Sequence, residues 1–229
     1  MKFYLKNIIG SLIMMTVSSI AIADGVPELI DKAKVSASVL REITEISEQG
    51  MPRSLLNKAV CIATIPNVLK AGFIFGGQYG QGMVSCRVGG GWSHPSFLTV
   101  AGGTWGFQIG AESVDLVLIF TKSNAAERFS KDNFTLSGDA SVAAGPIGRD
   151  AQAGTDVSLT SEIYSYSRSR GLFAGLTLGG TVIAVDKKAN ALAYGHEVNA
   201  IELLENSTHS MLTPSIVRPY TEALAIYAH

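Results

Sequence analysis

Glycines recur through one long run of strand-like sequence, and this run constrains the fold more than any other feature of the chain. Most of the 24 glycines lie between Lys58 and Gly195, where they alternate with β-branched and aromatic residues, as in GFIFGGQYGQGMVSCRVGGGW and FLTVAGGTWGFQIGAE. Glycine inside a strand usually marks a bulge, a sharp bend or a close approach of two backbones. The run therefore predicts a strongly curved antiparallel sheet that could close into a barrel-like shape.

Within this run, glycines and polar residues also suggest where strands end. The segment 72–88 is typical of a hairpin, and 97–112 and 114–121 are typical of two separate strands. The residues DKKAN, from Asp186 to Asn190, predict a polar turn.

An amphipathic helix is predicted before the sheet, from Asp24 to Gly50, where Gly50 and Pro52 end the pattern. Its apolar residues recur at spacings of three or four: Val26, Leu29, Ile30, Ala33, Ala37, Leu40, Ile43 and Ile46. Interfacial helices that bind anionic lipid are normally rich in Lys and Arg, whereas this helix carries more acidic than basic residues. Packing on the core is therefore favoured over a position on a membrane. After Gly195, ELLENS and YTEALAIYA predict a helical tail.

Length and composition indicate one folded domain. The chain has 229 residues, of which 47% are hydrophobic and 16% are charged. Without residues 1–23, which contribute only Lys2 and Lys6, 16 basic residues face 19 acidic ones. This balance gives no support for nucleic-acid binding, which normally shows a basic excess gathered on one face. We expect a single α+β domain over residues 24–229, with its core between residues 58 and 195.

The first 23 residues are typical of a secretory signal peptide. Lys2 and Lys6 precede the apolar run IIGSLIMMTVSSIAI, and Ala21-Ile22-Ala23 forms an A-x-A cleavage site. The alternative, an uncleaved membrane anchor, needs about 20 apolar residues, and this run is shorter and is interrupted by Ser and Thr. We expect cleavage after Ala23 and a protein exported to the periplasm or secreted.

Export would place the only two cysteines, Cys61 and Cys86, in an oxidising compartment. They lie in neighbouring predicted strands and could form a disulfide. They could equally be two buried thiols, because adjacency of strands does not fix the distance that a disulfide requires.

One predicted strand carries a candidate anion-binding patch. In EIYSYSRSRG the period of two places Tyr164, Tyr166, Arg168 and Arg170 on one face. Arginine offers forked donors to phosphate and stacks on aromatic rings. The alternative is a solvated face whose arginines pair with carboxylates such as Glu162 or Asp156.

Arg149 lies in GPIGRD, where backbone N–H groups of the turn could form a concavity for an anion. A plain tight turn is the simpler alternative.

No catalytic site, metal site or cofactor is predicted. The glycines occur within strand-like sequence and do not open a helix, as a phosphate-binding loop does. His94, His196, His209 and His229 are scattered, and neither HExxH nor GxSxG occurs.

Four ordered blocks of the chain closely resemble the SYLF domain family, over residues from about Lys58 to Gly195. They are KAVCIATIPNVLKAGFIFGGQYGQGMVSCR, GGWSHPSFLTVAGGTWGFQIGAESVDLVLIF, DASVAAGPIGRDAQAGTD and EIYSYSRSRGLFAG. The resemblance implies lipid binding, because eukaryotic relatives associate with phosphoinositide-bearing membranes, partly through an amphipathic helix at the N-terminal edge of the domain. Some fungal members also bind and bundle actin filaments, and bacterial members are typically small exported proteins.

We therefore predict a non-catalytic phospholipid-binding protein that recognises phosphoinositide-like or other anionic lipid. Apolar residues of the first helix (Val26, Leu29, Ile30) or the mouth of the sheet would contact acyl chains. Arg149, Arg168 and Arg170, with Tyr164 and Tyr166, would contact phosphate. The alternative is a structural or protein-interaction module of the cell envelope with an envelope protein as its partner. The sequence does not predict an oligomeric state.

Overall fold

The structure of the chain is a computed structural model that describes residues 4–45, 51–146, 160–169, 172–173, 178–208 and 213–228. The helices are α1 (Tyr4–Glu45), α2 (Arg53–Asn57), α3 (Ala125–Arg128, continued by a 3-10 turn at Phe129–Lys131), α4 (Lys187–Tyr194), α5 (Ala200–Glu205) and α6 (Arg218–Tyr227). The strands are β1 (Cys61–Val88), β2 (Gly91–Trp92), β3 (Ser96–Phe120), β4 (Asn133–Thr135), β5 (Val142–Ala144), β6 (Ile163–Ser169), β7 (Leu172–Phe173) and β8 (Val182–Val185).

The eight strands form one strongly curled sheet, a half-barrel, in which β2, β1, β3, β6 and β5 follow one another. Strand β8 pairs with β3 and β4, and β7 pairs with β6. Among the described strands, every pairing is antiparallel except that of β5 with β6. The predicted α+β fold, with a curved sheet, an N-terminal helix and a helical C-terminal part, is confirmed.

Strands β1 and β3 form a long two-stranded ribbon. Their pairing runs from Cys61 opposite Phe120 to Val84 opposite Ser96. The predicted hairpin at 72–88 and the predicted break between 112 and 114 are therefore wrong. Glycine is a common turn residue, but here Gly77 and Gly80 continue the ladder opposite Gly103 and Val100.

A β-bulge between Ile65 and Val68 interrupts this ladder at Pro66 and Asn67. Proline has no N–H for a ladder hydrogen bond, so it is tolerated at bulges. Asn67 has φ of 51°, which asparagine adopts more readily than most residues. Its N–H donates instead to Asp115 Oδ1, 3.0 Å away. The bulge therefore changes the direction of β1 without leaving this N–H unpaired.

The two ends of β1 lie against each other. A β-carbon placed on Gly82 would lie 2.2 Å from the carbonyl oxygen of Thr64 and 2.7 Å from Ile65 Cα, so only glycine fits. A disulfide joins Cys61 to Cys86, with an S–S distance of 2.05 Å and a sequence separation of 25. Closing a loop of this length restricts the unfolded chain and is worth roughly 3 kcal/mol in the chain-entropy account.

The hydroxyl of Tyr220, on α6, joins the two ends of β1 from the other side. It lies 3.1 Å from Thr64 Oγ1 and donates to the carbonyl oxygens of Ile62 at 3.2 Å and Met83 at 3.5 Å. Burial raises the pKa of Tyr220, so its hydroxyl stays protonated and able to donate. A buried hydroxyl without partners would be costly, so this site specifies a tyrosine.

Two hydrophobic clusters lie on opposite faces of the sheet. One is enclosed by the curled strands and by α3; its residues include Cys61, Ile65, Leu98, Leu116 and Phe120. The other lies beneath α1 and α6 and includes Leu40, Ile43, Ile62, Met83 and Phe97. Helix α1 thus packs on the core, as its acidic balance favoured.

Helix α4 occupies the position of the predicted polar turn DKKAN, so that prediction is wrong. The Asp186 carboxylate accepts a hydrogen bond from the N–H of Ala189 at 3.0 Å and caps the helix, and Gly195, with φ of 78°, ends it. Aspartate followed by lysines was compatible with a turn, but here the aspartate is an N-cap.

Among the described residues, no helix has both the length and the apolar character needed to cross a bilayer.

We expect Gly82→Ala to destabilise the protein by about 3 kcal/mol or more, because the added methyl group would overlap backbone atoms that no side-chain rotation can move. Gly77→Ala is the matched control, since its nearest neighbour outside the adjacent residues, Gly102 O, would lie 3.9 Å from the new β-carbon. Urea unfolding monitored by circular dichroism measures both. Equal losses of stability in the two variants would contradict the close contact within β1.

Candidate functional site

The two tyrosines of the predicted patch are buried. Strand β6 places Tyr164 and Tyr166 on the same face, but their exposed fractions are only 5% and 2%. Tyr166 donates its hydroxyl hydrogen to Pro146 O at 2.9 Å, and Tyr164 accepts one from the N–H of Ser161 at 3.1 Å. Burial raises the pKa of Tyr166. The expectation that both phenols face a ligand must therefore be corrected, because α1 and the sheet cover this face.

Arg168 is held between two carboxylates. Its Nη2 lies 2.8 Å from Asp115 Oδ2, and its Nη1 donates to Glu42 of α1. The hydrogen bond from Arg168 lowers the pKa of Glu42. Burial opposes the charge of Arg168, but the two carboxylates outweigh it and raise the pKa of the guanidinium. Arg168 therefore links α1 to the sheet, and its charge is already balanced by two carboxylates.

The pairing of Arg168 with carboxylates matches the alternative interpretation of this face, but the carboxylates are those of Glu42 and Asp115. Glu162 pairs with Arg128 instead, and Asp156 lies outside the described residues. Arg149 and Arg170 also lie outside the described residues.

The three α1 residues proposed to contact acyl chains point toward the core. Leu29 is 6% exposed, and Val26 and Ile30 are half-buried against the cluster beneath α1. In this arrangement the apolar face of α1 is occupied by the protein itself.

Exposed apolar surface lies instead on the β1–β3 ribbon. Leu69 and Tyr79, both on β1, are 60% and 51% exposed. Among the described residues, the other large exposed hydrophobic side chains are Val182 and Ile226. Leu69 and Tyr79 thus mark one apolar area of the surface.

Tyr79 lies in a part of the ribbon that carries no formal charge, and Leu69 lies just outside this part, beside Lys70. No Asp, Glu, Lys or Arg occurs between Lys70 and Arg87, or between Arg87 and Glu112. Lys70 and Glu112 are direct partners across the ribbon and mark where charge begins. Beyond them the strands contain Phe73, Ile74, Phe75, Trp105, Phe107 and Ile109. We call residues 71–82 and 100–111 the uncharged ribbon.

Strands β6 and β8 pair with β3 near the two ends of its uncharged part. Strand β6 pairs with residues 115–120 and β8 with residues 98–101. The stretch from Gly171 to Val185, which includes β8, also lacks charged residues. The absence of charge therefore extends beyond the two ribbon strands.

A groove of about 300 Å³ lies between α1 and the base of the ribbon. Its lining combines apolar and charged side chains: Glu28, Asp31, Lys32, Val35, Pro66, Asn67, Leu69, Tyr79, Gly80 and Gln81. The Lys32 ammonium donates to Gln81 Oε1 and lies 3.6 Å from Glu28 Oε1. We call this site the α1–ribbon groove.

One end of the groove adjoins the predicted arginine strand. Asn67, in the groove lining, donates its N–H to Asp115, and Asp115 pairs with Arg168. Sequence reasoning thus identified a strand that reaches the site, but it missed Leu69, Tyr79 and the acidic residues of the groove. The absence of charge from Ala71 to Ala111, apart from Arg87, was the signal that could have indicated this surface.

Two further cavities are polar. One, of about 350 Å³, adjoins α3 and is lined by residues that include Arg128, Lys131 and Asp139. The other, of about 450 Å³, lies between α4 and α5 beside Lys188 and Glu202. Within the described ranges, no group of three or more His, Cys, Asp or Glu residues could hold a metal ion.

Comparisons with known proteins all identify relatives from one family. Residues 101–227 match the family described as "Ysc84: Las17-binding protein actin regulator". SH3 domain-containing YSC84-like protein 1 of Rattus norvegicus is 37% identical over 183 residues, which cover 77% of this chain and 54% of the relative. The Xenopus laevis protein of the same name is 36% identical over 207 residues, with coverage of 87% and 59%.

LAS seventeen-binding protein 3 of Saccharomyces cerevisiae is 35% identical over 192 residues, which cover 82% of this chain and 40% of the relative. The chain spans about half the length of the curated relatives it matches. The family match covers more than half of this chain and includes most of β3, the strand at the centre of the sheet, together with α6. The resemblance found in the sequence is thereby confirmed, and the chain belongs to the Ysc84/SYLF family.

Proposed function

We propose that this chain binds phospholipid surfaces without catalysis, and that the uncharged ribbon makes the contact. The observation that carries this proposal is a long stretch of β1 and β3 that lacks charge, with one exposed apolar side chain, Tyr79, inside it and a second, Leu69, just before it. Contiguous exposed apolar surface is a feature of interaction sites. Tyrosine and tryptophan favour the membrane–water interface, where one end of the ring is apolar and the other is wet.

The ribbon would enter the lipid surface only to a shallow depth. Lys70 and Glu112 bound the uncharged ribbon, and burying a charged group in hydrocarbon costs far more than the adjacent apolar residues gain. Transferring the exposed parts of Leu69 and Tyr79 out of water contributes about 1 kcal/mol each. Two such side chains give weak binding, so the rest of the uncharged ribbon must contribute to a stable contact.

We also propose that Arg149 and Arg170 contact lipid phosphate and give a preference for anionic lipid. Arg168 is omitted from this role because Glu42 and Asp115 each accept a hydrogen bond from it and together balance its charge. Export after cleavage following Ala23 remains part of the proposal. The bond between Cys61 and Cys86 supports it, because disulfides persist mainly in oxidising compartments.

Co-sedimentation with phospholipid vesicles tests the ribbon contact. We expect Leu69→Glu to weaken vesicle binding by about tenfold, because the variant would bring a charge to the lipid surface and lose apolar contact. Ile226→Glu is the matched control: Ile226 has the same exposed fraction, 60%, but lies on α6. Both variants should retain the thermal stability of the parent protein.

The comparison of these two variants decides the assignment. Loss of binding in Leu69→Glu alone supports the ribbon contact. Equal binding by both variants and the parent, or no binding of the parent to anionic or neutral vesicles, would contradict it.

A second experiment tests the phosphate contacts. The double substitution Arg149→Gln with Arg170→Gln should weaken binding to anionic vesicles about tenfold, since each arginine can donate charge-assisted hydrogen bonds to phosphate, and should leave binding to neutral vesicles unchanged. Lys122→Gln with Lys131→Gln removes the same charge from the neighbourhood of α3 and serves as the control. An equal loss in both double variants would indicate a general effect of net charge and would reject the two arginines.

The second candidate function is a protein-interaction module. The matching family is described as an actin regulator that binds Las17, and the yeast relative is named as a Las17-binding protein. In this chain the α1–ribbon groove would then hold a segment of an envelope protein. A stoichiometric partner recovered from an envelope extract, together with indifference to lipid vesicles, would favour this function over lipid binding.

A further inference from the structure

The α1–ribbon groove offers both an apolar wall and a charged wall. Leu69 and Tyr79 belong to the apolar area of the ribbon, while Glu28, Asp31 and Lys32 come from successive turns of α1. A ligand in the groove would therefore contact the ribbon on one side and helix carboxylates on the other. When the ribbon rests on a lipid surface, a phospholipid headgroup in the groove would contact both the apolar wall and the charged wall.

The charges of the groove favour a cation. Lys32 is largely satisfied, because Gln81 accepts one of its hydrogen bonds and Glu28 lies 3.6 Å away. The Glu28 side chain remains 68% exposed. Asp31 is exposed and has no ion-pair partner within the described part of the chain. Two carboxylates against one ammonium leave the groove with a net negative charge.

We propose that the α1–ribbon groove binds the primary ammonium group of an aminophospholipid, of which phosphatidylethanolamine is the simplest. This inference rests on the proposed function and names the headgroup that the site prefers. A primary ammonium has three N–H donors, and Glu28 and Asp31 supply carboxylate acceptors for charge-assisted hydrogen bonds. The ring of Tyr79 adds a π-face that attracts a cation. The free N–H of Lys32 is available to the adjacent phosphate.

Other headgroups lack one of these features. A choline headgroup is cationic but has no N–H to donate to the carboxylates. A glycerol headgroup has no cation at all, so its lipid presents only a phosphate to the two acidic side chains. The groove therefore discriminates by the number of N–H donors on the headgroup nitrogen.

A methylation series tests this directly. The full chain is mixed with vesicles of phosphatidylcholine in which part of the lipid is replaced by phosphatidylethanolamine or by its monomethyl or dimethyl derivative. Because each methyl group removes one donor, binding should fall stepwise along the series, with roughly a tenfold difference between phosphatidylethanolamine and phosphatidylcholine. Equal binding to all four lipids would overturn the proposal.

The double variant Glu28→Gln with Asp31→Asn keeps the shape of the side chains and removes their charge. It should bind phosphatidylethanolamine and phosphatidylcholine vesicles equally, at the level of the parent protein on phosphatidylcholine. Glu205→Gln with Glu222→Gln, on exposed residues of α5 and α6, makes the same change of net charge and should keep the preference. Persistence of the preference in the first variant would reject the groove as the headgroup site.

The outcomes separate this inference from the proposed function. Vesicle binding that depends on Leu69 but not on headgroup methylation would overturn the groove assignment, leave the ribbon contact standing and make a basic protein segment the better occupant. Absence of vesicle binding under every condition would overturn both.

Discussion

The two ends of β1 are in contact with each other, and the ribbon and the groove both depend on this contact. Only glycine at position 82 lets the second part of the strand lie on the backbone of Thr64 and Ile65. The Cys61–Cys86 bond and the Tyr220 hydroxyl hold the same two parts together. Because the ends of β1 are joined, the residues between them project with β3 as a ribbon. The uncharged ribbon and the groove at its base both follow from this geometry.

Electrostatics then fixes α1 beside the ribbon. Glu42, near the C-terminal end of the helix, pairs with Arg168, and Lys32, two to three turns earlier, binds Gln81 of β1. Partly buried pairs are screened less by salt than exposed ones, and the side chain of Arg168 is only 17% exposed. These contacts hold the helix carboxylates at the groove. An arginine first considered as a ligand-binding residue thus helps to build the site by positioning a helix.

Local patterns predicted the curved sheet, the amphipathic helix and the family, because glycine spacing and helical periodicity are properties of neighbouring residues. The pairs that define the site are not local. Arg168 and Glu42 are 126 residues apart in sequence, so no pattern within β6 could indicate that Tyr164 and Tyr166 face a buried surface. The period of two correctly placed these tyrosines on one face but could not say which element covers it. Likewise, glycines in β1 indicated bends correctly but were mistaken for a hairpin turn, since a close approach to a distant part of the same strand leaves no sign in adjacent residues.

We propose that the far end of the β1–β3 ribbon enters a lipid interface, and quenching of Trp105 fluorescence tests this insertion. Trp105 is paired with Phe75 in the uncharged ribbon, whereas Trp92, the other tryptophan, is 5% exposed and donates to Ala228 O. A Trp92→Phe variant therefore reports on the ribbon alone. With vesicles whose acyl chains are brominated just below the headgroup, shallow insertion should give a blue shift of the emission and strong quenching, and weaker quenching when bromine lies near the bilayer centre. Emission that is unchanged while the protein co-sediments with the vesicles would contradict it.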